Sequence, residues 1–168
     1  QILNNSLTML ARIVQAEHAS ILLTEEDNPS LLVTRAILGT KVSPDNTVRF
    51  AIGQGIASWA AQHGQTVLVP DVAEDERWVT IPGSSRKREG SMIAVPLFVQ
   101  GEAIGIMTLS HSQTNFFHEG HVRLLNACAG AIAIGINNAN LFRMISTEAE
   151  RRYELLDRQQ KETSQIAA

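Results

Sequence analysis

The chain reads as an α+β domain in three layers, with a central antiparallel sheet of five or six strands. The first and last helices are expected on one face, and a small helix with lid loops on the other. Three patterns carry this reading. Ile2, Leu3, Leu7, Leu10, Ile13 and Val14 recur at helical spacing near the start. Short apolar runs separated by turn residues follow, as in a hairpin-linked sheet. From about His118 the pattern is helical again, and no proline interrupts it to the end.

Taken in order, the first helix is predicted to run to about Ala16. Ala19–Thr24 and Leu31–Leu38 form a hairpin across a polar turn that carries Asn28-Pro29, a loop signal. Val48–Ile52 leads into a corner at Gly53 and Gly55, and a helix starts at Ile56. Trp59 and Ala60 are expected on its inner side, and Gly64 as its left-handed cap. Thr66–Val69 is a short strand ended by Pro70. Ala73–Gly90 has weak local patterning and ends in Arg86-Lys87-Arg88. An excursion of that length inside a compact domain is often a functional lid. Ser91–Val99 and Ala103–Ser110 form a second hairpin, apolar on both faces as central strands are. Pro96 has no N–H for the ladder, so a bulge or a missing pairing is expected at it.

The last helix changes character along its length. To Ala139 it is rich in Ala, Ile and Leu. Beyond Leu141 it is charged, with a 7-residue phase through Phe142, Ile145, Ala149, Arg152, Leu156, Gln159, Thr163 and Ile166. Arg152 and Gln159 at core positions make that seam poor. The boundary expected is therefore a domain over 1–142 and a coiled-coil-like connector over 143–168, leading to an output domain. The other reading of the tail is an exposed helix.

Glycines at a strand-to-helix corner raise the question of a phosphate cradle. A dinucleotide fingerprint wants a third glycine where Ser58 stands, and a P-loop wants a Gly-Lys-Ser/Thr ending that is absent. What these motifs do match is a series. Arg49-Phe50-x-x-Gly53-x-Gly55-Ile56-Ala57, then Val69-Pro70-Asp71, then Ile93-Ala94-Val95-Pro96-Leu97 and the hairpin at Gly101-Glu102 resemble the GAF domain. That family comprises small-molecule-sensing and dimerising modules of signalling proteins. The resemblance covers the chain to about Phe142. It implies a non-catalytic sensor, with a pocket between sheet and lid walled by Phe50, Trp78, Arg86, Met92 and Thr108. It also implies a homodimer through Leu3, Leu7 and Leu10 of the first helix and Phe142, Ile145, Ala149 and Leu156 of the last. A ligand-free dimerisation spacer with a filled pocket is the alternative. Trp78 either caps the pocket or plugs the sheet face.

No catalytic or metal residue is assigned and no cofactor is expected. Bilin-binding relatives anchor the chromophore on a cysteine before the Val-Pro-Leu strand, and Ser84–Gly90 has none. Cys128, the single cysteine, sits in an Ala-rich helix, where a small buried thiol is common. Methionine-sulfoxide-reducing relatives need several cysteines. Cyclic-nucleotide-binding relatives carry an Asn-Lys pair and a Phe-x-x-x-Asp-Glu; here His111-Ser112, then Phe117 with His121-Val122, keep only the phenylalanine. Both departures argue against those ligands. His111, His118 and His121 cluster in sequence, yet sparse ligation argues against a metal or haem. His18 and His63 look structural.

Composition bounds the rest. At 168 residues, 44% hydrophobic and 18% charged, the chain suits one ordinary globular domain. A net charge of −3 gives no electrostatic footprint for nucleic acid. No continuous apolar run approaches the ~20 residues of a bilayer span, so no direct membrane insertion is expected. The expected location is the cytoplasm, or the cytosolic part of a membrane receptor. The start without Met reads as a piece of a longer signal-transduction protein, such as a two-component system.

Overall fold

The computed structural model describes residues 2–39, 49–51, 54–80 and 87–166, with Phe50 described by its backbone alone. The chain divides into two units, Gln1–Ala133 and Ile134–Ala168.

In the first unit, α1 (Ile2–Ile13) precedes the hairpin β1 (His18–Thr24) and β2 (Leu31–Leu38). β3 (Arg49–Ala51) leads to α2 (Gly55–His63) and β4 (Val67–Val69). After a 3-10 turn at Val72–Glu74 come β5 (Ser91–Val99), β6 (Glu102–His111) and the start of α3 (Glu119–Ile166). All five strand pairings are antiparallel, and the six strands lie in the order β3-β2-β1-β6-β5-β4. The expected three-layer architecture is therefore the one observed.

The apolar pattern explains the layering. Ser91–Leu97 is buried at every position, because β5 is covered on both faces. One face presents Leu22, Leu32, Met92, Ala94 and Ile106 to Ile56 and Ala60 of α2. The other carries Ile21, Ile93, Leu97, Met107 and Leu109, buried with Leu7, Leu10 and Val14 at and just after α1 and Leu125 and Ala129 of α3. α1 packs on β1 and β2, whereas α2 packs on β5 and β6.

The end of α1 and the place of the β5 irregularity differ from expectation. α1 stops at Ile13 rather than about Ala16, because Gln15 adopts φ 56. Gln15 N–H then donates to Arg12 O at 3.2 Å and Ala16 N–H to Ala11 O at 2.8 Å, the paired bonds of a Schellman cap. α2 ends in the same motif at Gly64, φ 61, where the sequence places it. Pro96 stays in register with Ile106, and the irregularity falls one residue on, between Leu97 and Phe98. Gly53 and Ile52, expected at the corner, lie outside the described residues. Gly55 has φ 84, which explains a glycine there although a Cβ would meet only ordinary contacts.

α3 adds to the sequence reading of the membrane question. By length and composition alone, one 18-residue stretch of it is apolar enough to cross a bilayer, with mean hydropathy 1.2. The absence of charge from Leu124 to Phe142 produces this, although Asn and Gly break up the apolar run. Within the first unit the same helix buries Leu125, Ala129 and Ala133, as a core helix does. In the second unit the side chains from Leu141 onward are mostly exposed.

Candidate ligand-binding site

The face of the sheet beneath α2 is apolar with a polar inset. Ser20 opposes Thr108 across β1 and β6, and Thr108 opposes Ala94 across β6 and β5. Strand alternation therefore puts both hydroxyls on the side of Leu22, Ala94 and Ile106. The two oxygens are 2.6 Å apart, and Thr108 is 4% exposed. A hydroxyl carries one proton and two lone pairs, so this pair retains acceptor capacity after bonding to itself. Met92 and Val69 continue the surface toward the β4 edge, and Trp78 packs half-buried against it.

The segment after β4 is held over this surface by polar ties. Asp71 caps the 3-10 turn by accepting from Ala73 N–H at 2.9 Å, and Val72 N–H donates to Gly90 O at 2.8 Å. Asp75 accepts from the Arg77 side chain twice, from Nε at 2.9 Å and from Nη2 at 2.6 Å, and once from the Arg77 N–H at 2.9 Å. That fork holds the Asp75 carboxyl below its ordinary range, against the upward push of burial. The same Arg77 guanidinium sits 4.7 Å from the Trp59 ring centre, and Trp59 stacks on His63 at 3.9 Å. Helix α2 and the Asp75–Trp78 turn are thus clipped together by a cation over an aromatic ring. Arg88 donates to Asp75 O at 2.9 Å and bridges the ends of the excursion.

A second polar cluster lies at the end of β6. Glu17 accepts from Ser112 Oγ at 2.7 Å and Ser112 N–H at 3.0 Å, with His111 Nε2 at 3.4 Å. Its carboxyl is held below the ordinary range, chiefly by the Ser112 hydroxyl. His111 stacks on Phe116 at 3.7 Å, and the His118 and His121 rings lie 3.9 Å apart. Among the described residues, no group of three His, Cys, Asp or Glu side chains is placed to hold a metal.

Of the five residues assigned to the pocket wall, Trp78, Met92 and Thr108 meet this face. Phe50 lies in β3 opposite Leu32, and Arg86 lies outside the described residues. Ser20 and Asp75 were not singled out from the sequence, whereas Arg88 was, within the basic run Arg86-Lys87-Arg88. Ser20 had a signal, a polar residue alternating with Ala19 and Ile21; Asp75 depends on the path of the excursion. Leu7 and Leu10, assigned to a dimer contact, face their own sheet and are 0% and 7% exposed. The open row of α1 is instead Ile2, Met9 and Ile13, with Leu3 half-buried. Phe142, Ile145, Ala149 and Leu156 are exposed, and Cys128 is half-buried.

With that geometry in hand, comparison with known proteins is informative. The GAF domain family matches residues 1–137. The chain is 28% identical over 162 residues to dual 3′,5′-cyclic-AMP and -GMP phosphodiesterase 11A of Takifugu rubripes, a match covering 90% of this chain and 18% of that protein. It is 27% identical over 177 residues to the Nif-specific regulatory protein of Azospirillum brasilense, covering all of this chain and 27% of that one. The chain thus spans under a third of these relatives' lengths. Among solved structures, the GAF domain of a phosphoenolpyruvate-protein phosphotransferase from Coxiella burnetii superposes with a TM-score of 0.75, at 17% identity and over 84% of each chain. That likeness is one of fold.

Proposed function

The chain belongs to the GAF domain family, and on that premise we propose that it is a non-catalytic regulatory domain binding a small organic ligand beneath α2. The observation that carries this reading is the Ser20–Thr108 hydroxyl pair, set at 2.6 Å in a largely apolar sheet face. A ligand with a hydrogen-bonding edge and a planar apolar body suits that pair together with Trp78. Ligand contact with Trp78 changes how the Asp75–Trp78 turn sits on α2. Binding regulates an output only to the extent that the ligand prefers one arrangement of that turn over another. The relay proposed is a homodimer of parallel helices in a longer cytoplasmic signalling protein. In the first unit its contacts are Ile2, Met9 and Ile13, and in the second the row Phe142, Ile145, Ala149 and Leu156. Residues 143–168 serve as the connector.

A second reading has an observation in its favour. Trp78 and Met92 already pack into one apolar cluster with α2, as expected of a spacer domain whose pocket is filled by its own side chains. Thermal-shift measurements separate the two. Cyclic AMP, cyclic GMP and a panel of small metabolites are titrated against the protein and against its Ser20→Ala/Thr108→Val variant. The sensor reading expects at least one compound to raise Tm of the wild type by several degrees, through preferential binding to the native state. The double variant loses that shift. A panel with no effect on either protein supports the spacer.

A further inference from the structure

We propose that His111, His118 and His121 form a proton-operated latch between the end of β6 and the start of α3. In each of the three rings Nδ1 lies on a backbone amide: Gln113 N–H at 3.0 Å from His111, Gly120 N–H at 3.1 Å from His118, and His118 N–H at 3.2 Å from His121. A backbone amide can only donate. Each Nδ1 therefore presents a lone pair, and the single ring proton sits on Nε2. Adding the second proton places it on Nδ1, where it faces another donor. One protonation event per ring thus breaks one backbone hydrogen bond; these three bonds hold the segment from Gln113 to Gly120 together with Asn115 N–H on Pro70 O at 2.9 Å and Ser91 Oγ on Gln113 O at 2.9 Å.

The surroundings sharpen the effect. The His118 and His121 rings are 3.9 Å apart, so two imidazolium charges there repel, with solvent at the exposed His118 screening part of the repulsion. Both rings lie at the N-terminal end of a long helix, where the aligned peptide dipoles oppose positive charge. Among the described residues, the ionisable groups at the cluster are Glu17, which His18 also approaches at the entry to β1, and Glu119 in the first turn of α3. Glu17 faces His111 Nε2, so it tethers that ring in either protonation state. Gly90 closes the other side: a Cβ there would lie 1.9 Å from His111 O. The backbone of β6 is thereby held, and the yielding is confined to the three amides that the imidazoles accept from.

The sign of the pH dependence follows. Burial, with help from His118, holds the His121 imidazole below its ordinary value of 6.5. The folded form thus favours neutral imidazole, and the stabilisation is present above that value and lost as pH falls. Glu17, held below its ordinary 4.5, gives way only in a separate and more acidic window.

The test is residue-resolved amide exchange on the 168-residue protein, corrected for intrinsic rates, between about pH 7.5 and about pH 5, a span that reaches well below the ordinary imidazole range. Protection at Gln113, His118 and Gly120 should fall by about fivefold or more, the loss of one net hydrogen bond, while Ile93 and Leu109 stay unchanged. His118→Asn/His121→Asn keeps an acceptor oxygen near the Nδ1 position without a titrating group. This variant should retain protection at Gly120 at the lower pH. Flat protection in the wild type overturns the latch, as does an Asn variant that loses protection like the wild type. If that variant does not fold, nitrogen shifts of the wild-type imidazoles decide: a neutral ring protonated at Nδ1 refutes the proposal.

Discussion

Gln15 occupies the left-handed region at φ 56, closing α1 with the bonds that Gly64 makes at the end of α2. A side chain other than Gly or Asn pays an eclipsing penalty there of order 1 kcal/mol, partly offset because glycine is freer when unfolded. Gln15→Gly should therefore stabilise the protein by about 0.5 kcal/mol, read as a higher denaturant midpoint at unchanged slope. A neutral or destabilising result would mean that the Gln15 side chain contributes something its backbone does not reveal. The two caps also show what can be read from residue types. Gly64 announces a helix end, since glycine is the ordinary occupant of such a site. Gln15 announces nothing, and the helical periodicity of Ile13 and Val14 carried the expected end too far. Ser20 and Thr108 tell a similar story: each is an ordinary strand residue alone, and 88 positions separate them.

At the level of elements, α2 and the turn that follows β4 behave as one clipped piece. Arg77 is bonded to Asp75 on one side and lies over Trp59 on the other. The Arg77 and Asp75 side chains are 32% and 13% exposed, and Asp75 also accepts from the Arg77 N–H at 2.9 Å, so the ion pair itself adds only modestly to global stability. Its effect is local. Arg77→Ala should leave Tm within a degree or two yet raise the rate of limited proteolysis across residues 73–90 severalfold, since local opening is governed by few contacts. An unchanged cleavage rate would show that Trp78 packing alone seats the turn. The strands were legible because their periodicity and turn chemistry agree: β2 and β5 begin and end where the patterns place them. The excursion was not, because it has no period. Its order comes from Asp71, Asp75 and Arg88 meeting backbone groups across as many as 16 residues.

For the molecule as a whole, the sheet order decides which apolar residues are free to meet a partner. Leu7 and Leu10 share helical spacing with Ile2, Met9 and Ile13, but only the last three point away from the sheet. Ile2, Met9 and Ile13 lie seven and four residues apart, on one face of α1. If that face meets a second copy, light scattering should report a dimer. Met9→Glu/Ile13→Glu should then raise the dimer dissociation constant by at least about tenfold, by placing unpaired charge in an apolar contact. The far-UV circular dichroism should not change, because neither side chain belongs to the core. A wild-type protein that is monomeric at high concentration would refute the assembly.

Local chemistry was enough to identify the α+β class, the family motifs, the hairpins and the glycine-capped helix. Each of these follows from spacing and from the backbone preferences of neighbouring residues. Which hydroxyls pair, which leucines are spent on the core, and which carbonyls Arg88 braces could be settled only by the folded chain. Those facts join positions far apart in sequence, and no local preference carries the distance between them.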